Sequence, residues 1–248
     1  MVPYIEIDGR PATADDIRLP ATVHYGHFTA MQVRDGRVRG LALHLARLDA
    51  GNRELFRAGL DGDLVRDRIR HALGTVADAS VRVSVLWAGA DDATAVMVTV
   101  RPPGEPPAAP QRLLTVPYQR SVAHVKHVGD FGQVYYGRLA GRRGYDDALL
   151  TGPDGTISET TIANVGFFDG TAVVWPDAPV LDGITMQLLG GPRRPVRVAD
   201  LRSFDGMFVT NSRGIAAVES VDGVALPVAT GRVKALVDAY ASVPAELI

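Results

Sequence analysis

Cysteine is absent from this chain of 248 residues, and lysine is nearly absent. The lack of cysteine excludes a disulfide framework, an iron–sulfur cluster and any zinc site with thiolate ligands. The 26 basic residues nearly balance the 28 acidic residues. The chain therefore lacks the excess of basic residues that is typical of nucleic-acid-binding proteins. The longest apolar stretches, VRVSVLWAGA and ATAVMVTV, have the length of strands and are far too short to span a membrane.

The N-terminal residues, MVPYIEIDGRPATADD, do not follow the basic and then apolar pattern of an export signal. A chain of this length can bury a sizeable core, as one large domain or two small ones, without cross-links. We therefore expect a soluble cytoplasmic protein that binds neither nucleic acid nor a membrane.

Only Lys126 and Lys234 are lysines, so 26 basic residues less these two leave 24 arginines. Lys234 lies in GRVKALVDAY, where helical spacing of apolar residues leaves a cation facing water. Lys126 lies in SVAHVKHVGDFG, between valines. Arginine stays protonated, whereas a desolvated lysine can lose its proton and form a Schiff base with a carbonyl group. Lys126 is thus either a nucleophile or a solvated residue at a strand end.

The first hundred residues alternate between strand and helix patterns. The segments PYIEIDGR and HFTAMQVRDGRVRGL predict hairpins around Asp-Gly turns. Apolar residues at helical spacing predict helices at LALHLARLDAGNRELF and DGDLVRDRIRHAL, with Leu64, Ile69 and Leu73 of the second facing inward. Two further strands, VRVSVLWAG and TAVMVTVRP, complete an α+β unit.

The segment RPPGEPPAAPQ is rich in proline and glycine and predicts a linker. We expect an N-terminal α/β domain over residues 1–105, a linker over 106–114 and a C-terminal domain over 115–248. After the linker, the patterns predict a strand at RLLTVPY, a helix at DFGQVYYGRLAGRRGY, several hairpins and a last helix.

Several polar residues in these elements could hold a cofactor. Glu159 in ISETTIAN follows a strand, where it faces water or holds a pyridine nitrogen protonated. Arg47 lies among leucines in LHLARL and either extends to solvent or binds an anion. In LDGITMQLL, Gly183 precedes a helix whose first amides, of Ile184 and Thr185, could bind phosphate. Thr210, Asn211 and Ser212 offer further donors at a strand end.

In this order, the segments HLARL, a lysine, SETTIANVGFF, LDGITM and VTNS resemble the class IV aminotransferases, the pyridoxal-phosphate enzymes of fold type IV. The resemblance covers nearly the whole chain. It implies a two-domain α/β fold, with a small N-terminal α/β sandwich and a larger C-terminal pseudo-barrel domain. It also implies an aminotransferase acting on an amino acid and a keto acid, with pyridoxal 5'-phosphate as cofactor, and a homodimer whose partner contributes to the substrate pocket.

The resemblance also implies roles for individual residues. Lys126 would carry the cofactor as a Schiff base and Glu159 would pair with the pyridinium nitrogen. Asn164 would brace the loop after Glu159. The cofactor phosphate would be held by Arg47, Ile184, Thr185, Asn211 and Ser212.

Residues that differ from the family pattern bear on the substrate. The strand HFTAMQV places Phe28, Ala30 and Gln32 on one face, which we expect to contact the substrate. Phe131 stands where branched-chain enzymes carry a tyrosine, which argues against that branch. The segments HFTAMQVRDGRV and VKH look more like the 4-amino-4-deoxychorismate lyase and D-amino-acid branches. Arg213 either binds a substrate carboxylate or is an exposed turn residue.

Three alternatives remain open. A lyase would use the same lysine, glutamate and phosphate site to release pyruvate from 4-amino-4-deoxychorismate. A metal hydrolase is suggested by two His-x-x-His pairs, His24 with His27 and His124 with His127. Their extended surroundings would point the two imidazoles of each pair apart, so we predict no metal site. A catalytically silent family member would be expected to lack Lys126 or Glu159.

Overall fold

A computed structural model describes residues 3–248, which divide into two compact units. Unit 1 consists of the described residues up to Gly104, together with Val125–Gly129 and Pro244–Ile248. Unit 2 consists of Glu105–His124 and Asp130–Val243. Two short segments therefore belong to unit 1 although they follow the expected linker in the chain.

An antiparallel sheet and three helices form the body of unit 1. The strands are β1 Tyr4–Ile7, β2 Arg10–Pro11, β3 Gly26–Val33, β4 Arg37–Arg39, β5 Ala79–Trp87 and β6 Thr94–Arg101. The helices are α1 Ala14–Thr22, α2 Leu41–Phe56 and α3 Gly62–Leu73. Five strands form one sheet in the order β2-β1-β6-β5-β3, and β4 pairs instead with the C-terminal strand Ala245–Leu247.

The core of unit 1 lies on one face of this sheet. Alternate residues of β3, such as Met31 and Val33, are buried with Leu41 and Leu48 of α2 and Ile69 of α3. The residues between them, Phe28, Ala30 and Gln32, are half-buried. Strand alternation therefore places the expected substrate residues on the face opposite the core, as the sequence pattern predicts.

A closed sheet forms the body of unit 2. The strands are β7 Gln111–Pro117, β8 Asp147–Thr151, β9 Ile157–Thr160, β10 Asn164–Asp169, β11 Ala172–Pro176, β12 Arg193–Arg194, β13 Gly206–Asn211, β14 Gly214–Val221 and β15 Val224–Ala225. The helices are α4 Phe131–Arg142, α5 Ile184–Leu189 and α6 Thr230–Ser242, with a 3-10 helix at Val198–Ser203. Six strands close in the order β10-β13-β14-β7-β8-β9, because β9 also pairs with β10.

This closure aligns polar residues from three strands. Glu159 on β9 is the register partner of Asn164 on β10, which is in turn the partner of Thr210 on β13. All three side chains are buried. A closed six-stranded sheet has no free edge between these strands, so their relative positions are fixed by backbone hydrogen bonds.

Three details differ from the sequence-based expectations. The expected linker over 106–114 includes the first four residues of β7, because Leu113 pairs with Asp147 of the neighbouring strand. In α3 the inward residue is Val65, whereas Leu64 is 39% exposed. Helix α1 is additional, and its start is fixed by a capping box between Thr13 and Asp16.

Candidate active site

The segment around Lys126 runs beside β3 in unit 1. The amide nitrogen of Phe28 donates to the carbonyl oxygen of Lys126 at 2.8 Å, and the amide of Val128 donates to the carbonyl of Gly26 at 3.0 Å. His27 and His127 face each other as an isolated bridge in this pairing. The backbone of Lys126 is therefore anchored to the sheet, and its half-buried side chain begins from a fixed point.

Two cations lie over the ring of Phe28. The ring centroid is 4.8 Å from Lys126 Nζ and 3.5 Å from Arg82 Cζ. Arg82 on β5 is the register partner of Ala30. The lysine amine and the Arg82 guanidinium group therefore share one aromatic ring on the face of β3 opposite the core.

The positive charges of Arg47 and Lys126 both affect the pKa of a buried histidine of α2. His44 lies one turn before Arg47, and its Nδ1 is 2.6 Å from the hydroxyl of Thr29 on β3. Burial, together with the positive charges of Arg47 and Lys126, lowers the pKa of His44 to about 3. His44 is thus neutral near pH 7. Unit 1 brings Arg47 and Lys126, the two cations that we expect to contact the cofactor, close to this uncharged ring.

Gln32 is held by contacts within unit 1. Its side-chain oxygen accepts from the amide of Gly104 at 2.8 Å and from Arg34 at 3.3 Å, while its nitrogen donates to Ser80 at 3.1 Å. These bonds fasten the end of β3 to the last residue of the first segment of unit 1. Phe28, by contrast, turns its ring towards the amine of Lys126.

In unit 2, Glu159 has a buried carboxylate whose orientation is fixed. Its Oε1 accepts from Nε of Arg120 at 3.1 Å, and its Oε2 accepts from the amide of Leu181 at 3.4 Å. The side chains of Arg120 and Glu159 are 4% and 8% exposed. Arg120 also donates to the carbonyl of Ala123, so both members of the ion pair are tied to the backbone.

The same part of unit 2 connects Glu159 to the start of α5. Asn164, the partner of Glu159 across the strands, donates from its side-chain nitrogen to the carbonyl of Leu181 at 2.7 Å. A Cβ atom built on Gly183 would lie 1.9 Å from the side-chain oxygen of Asn164. Any larger residue at position 183 would therefore force the Asn164 side chain to move.

The first residues of α5 contact the end of β13. The hydroxyl of Thr185 donates to the carbonyl of Asn211 at 3.1 Å, and the side chains of Ile184 and Thr185 are buried. Ser212 is half-buried in the turn that follows. Arg213 is exposed, and its amide donates to the side chain of Asn211 at 2.9 Å. Unit 2 thus brings Ile184, Thr185 and Asn211 together with Glu159.

The histidine pairs do not form a common ligand set in the described chain. His24 is exposed whereas His27 is buried, so the two imidazoles of this pair have different surroundings. Among residues 3–248, no group of three or more histidine and carboxylate side chains has a geometry that could hold a metal ion. Nor does any helix within that range have the length and hydropathy of a membrane span.

Sequence reasoning did not single out Arg82, Arg120 or His44. Strand alternation could have placed Arg82 on the same face of the sheet as Phe28 only if the register between β3 and β5 had been known. Arg120 is one of 24 arginines and lies in no regular element, so its type and position carry no distinctive signal.

Comparisons with known proteins assign the chain to a family. The profile of the family described as amino-transferase class IV matches residues 26–221. A comparison with curated proteins gives no match. The solved structure of a hypothetical aminotransferase from Mycobacterium tuberculosis, in a form bound to pyridoxal phosphate, is similar to the chain at 23% identity. The similarity covers 96% of this chain and 98% of that one, with a TM-score of 0.81.

Two further structures have different named activities. A branched-chain amino acid aminotransferase from Escherichia coli matches at 17% identity, covering 95% of this chain and 92% of that one, with a TM-score of 0.81. A proposed 4-amino-4-deoxychorismate lyase from Legionella pneumophila matches at 19% identity, covering 88% and 91%, with a TM-score of 0.78. At these identities the likeness establishes the fold, and it confirms the expected mixed α/β architecture of fold type IV.

Proposed function

Because the chain belongs to the class IV aminotransferase family, we propose that it is a pyridoxal-phosphate-dependent aminotransferase acting on an amino acid and keto acid pair. The observation that carries this proposal is the family match over residues 26–221, which includes both Lys126 and Glu159. A catalytically silent member is less consistent with the chain, because both the amine and the buried carboxylate are present.

The residues of each unit fit this cofactor. Unit 2 offers a buried carboxylate, fixed by two hydrogen bonds, for a protonated ring nitrogen. The same unit offers the amides of Ile184 and Thr185 and the polar end of β13 for a phosphate group. Unit 1 offers an anchored lysine, and Arg47 is close enough to act with it on the same buried imidazole of His44.

We assign the following roles. Lys126 would hold the cofactor through its amine and would move a proton at the substrate's α-carbon. Glu159 would keep the cofactor's ring nitrogen protonated. Bound pyridoxal phosphate supplies the ring that accepts electrons during this proton transfer. Arg47, Ile184, Thr185, Asn211 and Ser212 hold the phosphate.

The neutral state of His44 suits this arrangement. A protonated imidazole close to Lys126 and Arg47 would add a third positive charge to the same part of unit 1. His44 hydrogen-bonds Thr29 and holds α2 to β3, and because its pKa is lowered to about 3 it does so without adding positive charge near pH 7. We therefore regard it as a residue that positions Arg47.

We further propose that Phe28, Ala30, Gln32 and Arg213 contribute to substrate recognition, and that the protein acts as a cytoplasmic homodimer. Phe28 is the best supported of the four residues, because its ring lies 4.8 Å from the Lys126 nitrogen. Phe28→Ala is expected to change the substrate preference of the enzyme, and Arg213→Ala tests whether the exposed turn takes part.

A second candidate function is 4-amino-4-deoxychorismate lyase. It is favoured by the segments HFTAMQVRDGRV and VKH. The two functions are separated by supplying the purified protein with pyridoxal phosphate and measuring two products. A keto acid formed only when an amino acid and an acceptor keto acid are both present supports the aminotransferase. Pyruvate released from 4-amino-4-deoxychorismate alone supports the lyase, and neither product with a folded protein would contradict both.

A further inference from the structure

The ion pair between Arg120 and Glu159 is unusually deep for two charged residues. Both side chains are less than one tenth exposed, and the Nε to Oε1 distance is 3.1 Å. Charged side chains of these types are almost never fully buried without a partner. A buried ion pair is also a poor source of stability, because the cost of removing both charges from water offsets their attraction. The pair therefore calls for a reason other than stability.

Resting on the proposed function, we propose that Arg120 is a positioning residue that keeps Glu159 ionised and correctly oriented for the cofactor's ring nitrogen. Burial alone favours the neutral form of a carboxyl group. A neutral carboxylic acid could not hold a pyridine nitrogen protonated. Arginine remains charged at any working pH, so Arg120 opposes the effect of burial permanently.

The geometry supports an orienting role as well. Arg120 is tied to the carbonyl of Ala123, and Glu159 accepts from the amide of Leu181 with its other oxygen. The carboxylate is thus held from both sides, with one oxygen on a side chain and the other on the backbone that leads to Gly183. Rotation of the Glu159 carboxylate would break at least one of these bonds.

The test is a double-mutant cycle that measures the dissociation constant of pyridoxal 5'-phosphate by absorbance titration. The variants are Arg120→Gln, Arg120→Lys, Glu159→Gln and the double variant Arg120→Gln with Glu159→Gln. Arg112→Gln is the matched control, because Arg112 forms an exposed ion pair with Asp146 at 3.2 Å in the same unit. The unfolding temperature of every variant is recorded in parallel.

We expect Arg120→Gln to weaken cofactor binding by about tenfold, which corresponds to about 1.4 kcal/mol. Arg120→Lys should restore most of the affinity, because it retains the charge. In the Glu159→Gln background, the same Arg120→Gln change should have almost no further effect on the dissociation constant. Arg112→Gln should bind as the wild type does.

Three results would overturn this role. If Arg120→Gln lowers the unfolding temperature but binds the cofactor normally, Arg120 is structural only. If it weakens binding equally with Gln at position 159, it does not act through Glu159. If Arg120→Gln does not fold, Arg120→Lys carries the test, and a folded Arg120→Lys variant that binds the cofactor as weakly as Glu159→Gln counts against the role, because lysine retains the charge. A wild-type protein that binds no cofactor would contradict the proposed function itself.

Discussion

A glycine beside Asn164 fixes how α5 begins. The side-chain nitrogen of Asn164 is committed to the carbonyl of Leu181, so its oxygen cannot move far when a Cβ is added at Gly183. We expect Gly183→Ala to lower the free energy of unfolding by about 1–3 kcal/mol, as overpacking of a buried site does. Denaturant unfolding measures this cost, and a titration with pyridoxal phosphate should show weaker binding.

The matched control for this change is Gly231→Ala. Gly231 lies in α6, and a Cβ built there meets no heavy atom within 4 Å. Its unfolding free energy should equal that of the wild type or exceed it by up to about 1 kcal/mol, because alanine favours a helix over glycine. Equal stability of the two variants would show that Asn164 can move away from position 183.

His27 makes the stability of the protein depend on pH. Burial lowers the pKa of this imidazole to about 4, below its ordinary value of 6.5. The unfolded chain therefore takes up the proton first, so the stability due to neutral His27 is complete above about pH 6.5 and is lost as the pH falls towards 4. The difference corresponds to about 3 kcal/mol.

The variant His27→Leu isolates this contribution. Its unfolding free energy should fall less steeply than that of the wild type between about pH 6.5 and about pH 4, because leucine binds no proton. Urea unfolding at several pH values measures both slopes. Parallel slopes would mean that His27 is not held neutral in the folded chain.

At the scale of single residues, a functional residue could be recognised from the sequence when its type is rare in the chain or when its position fits a family pattern. Lys126 was recognisable because only two lysines exist, and Glu159 because it stands at a fixed place in a family pattern. Arg82 and Arg120 contact Phe28 and Glu159, but they are two among 24 arginines. Their importance depends on strand register and on a loop conformation, neither of which local spacing specifies.

Among the elements, helices α2 and α3 of unit 1 show what apolar periodicity predicts correctly and what it does not. The pattern predicts α2 over the residues where it is found, Leu41–Phe56, because its leucines recur at helical spacing against the sheet. In α3 the same reasoning placed Leu64 inward, whereas Val65 is buried instead. Two adjacent apolar residues fit the period about equally well, and only the packing against the sheet decides between them.

Helix α1 was missed for a different reason. It contains Pro20, a residue that disfavours a helix interior, and none of its residues is buried. The recognisable feature was the Thr13-x-x-Asp16 capping box, in which each side chain accepts a hydrogen bond from the backbone of the other residue. The capping box therefore marks the start of a helix that was not predicted from the apolar pattern.

The packing of α2 and α3 gives a direct comparison of two leucines. Leu48 of α2 is fully buried in the core of unit 1, whereas Leu64 of α3 is 39% exposed. We expect Leu48→Ala to lower the free energy of unfolding by about 3 kcal/mol, from lost burial and the remaining cavity. Leu64→Ala should cost no more than about 0.5 kcal/mol.

Chemical denaturation of both variants measures this difference. The two substitutions remove the same atoms, so intrinsic side-chain chemistry cancels in the comparison. Similar losses at both positions would contradict the burial of α3 through Val65.

For the whole molecule, the sequence predicts two α/β domains, each formed by one continuous stretch of the chain. The structure instead places residues 125–129 and 244–248 in unit 1. The first segment pairs with β3 through Phe28 and Gly26, and the second pairs with β4 through Arg37–Arg39. Composition does not reveal which segments pair when they are far apart in the sequence. The proline-rich linker therefore marks only one of the places where the chain passes from one unit to the other.

Lys126, the residue on which the proposed function depends, lies in the first of these segments, in unit 1. Lys126→Arg keeps the charge but removes the amine that we propose binds the cofactor, so it should abolish turnover while the protein still folds. Lys234→Arg should have no measurable effect, because Lys234 forms an exposed contact with Asp238 on α6.

The most direct test uses the scarcity of lysine in the chain. The protein is incubated with pyridoxal phosphate, reduced with borohydride, digested and mapped by mass spectrometry. We expect the phosphopyridoxyl group on Lys126 in the wild type and in Lys234→Arg, and no labelled lysine in correctly folded Lys126→Arg. Labelling of Lys234 in place of Lys126, or no label in a folded wild-type protein, would contradict the assignment of Lys126 as the cofactor-binding lysine.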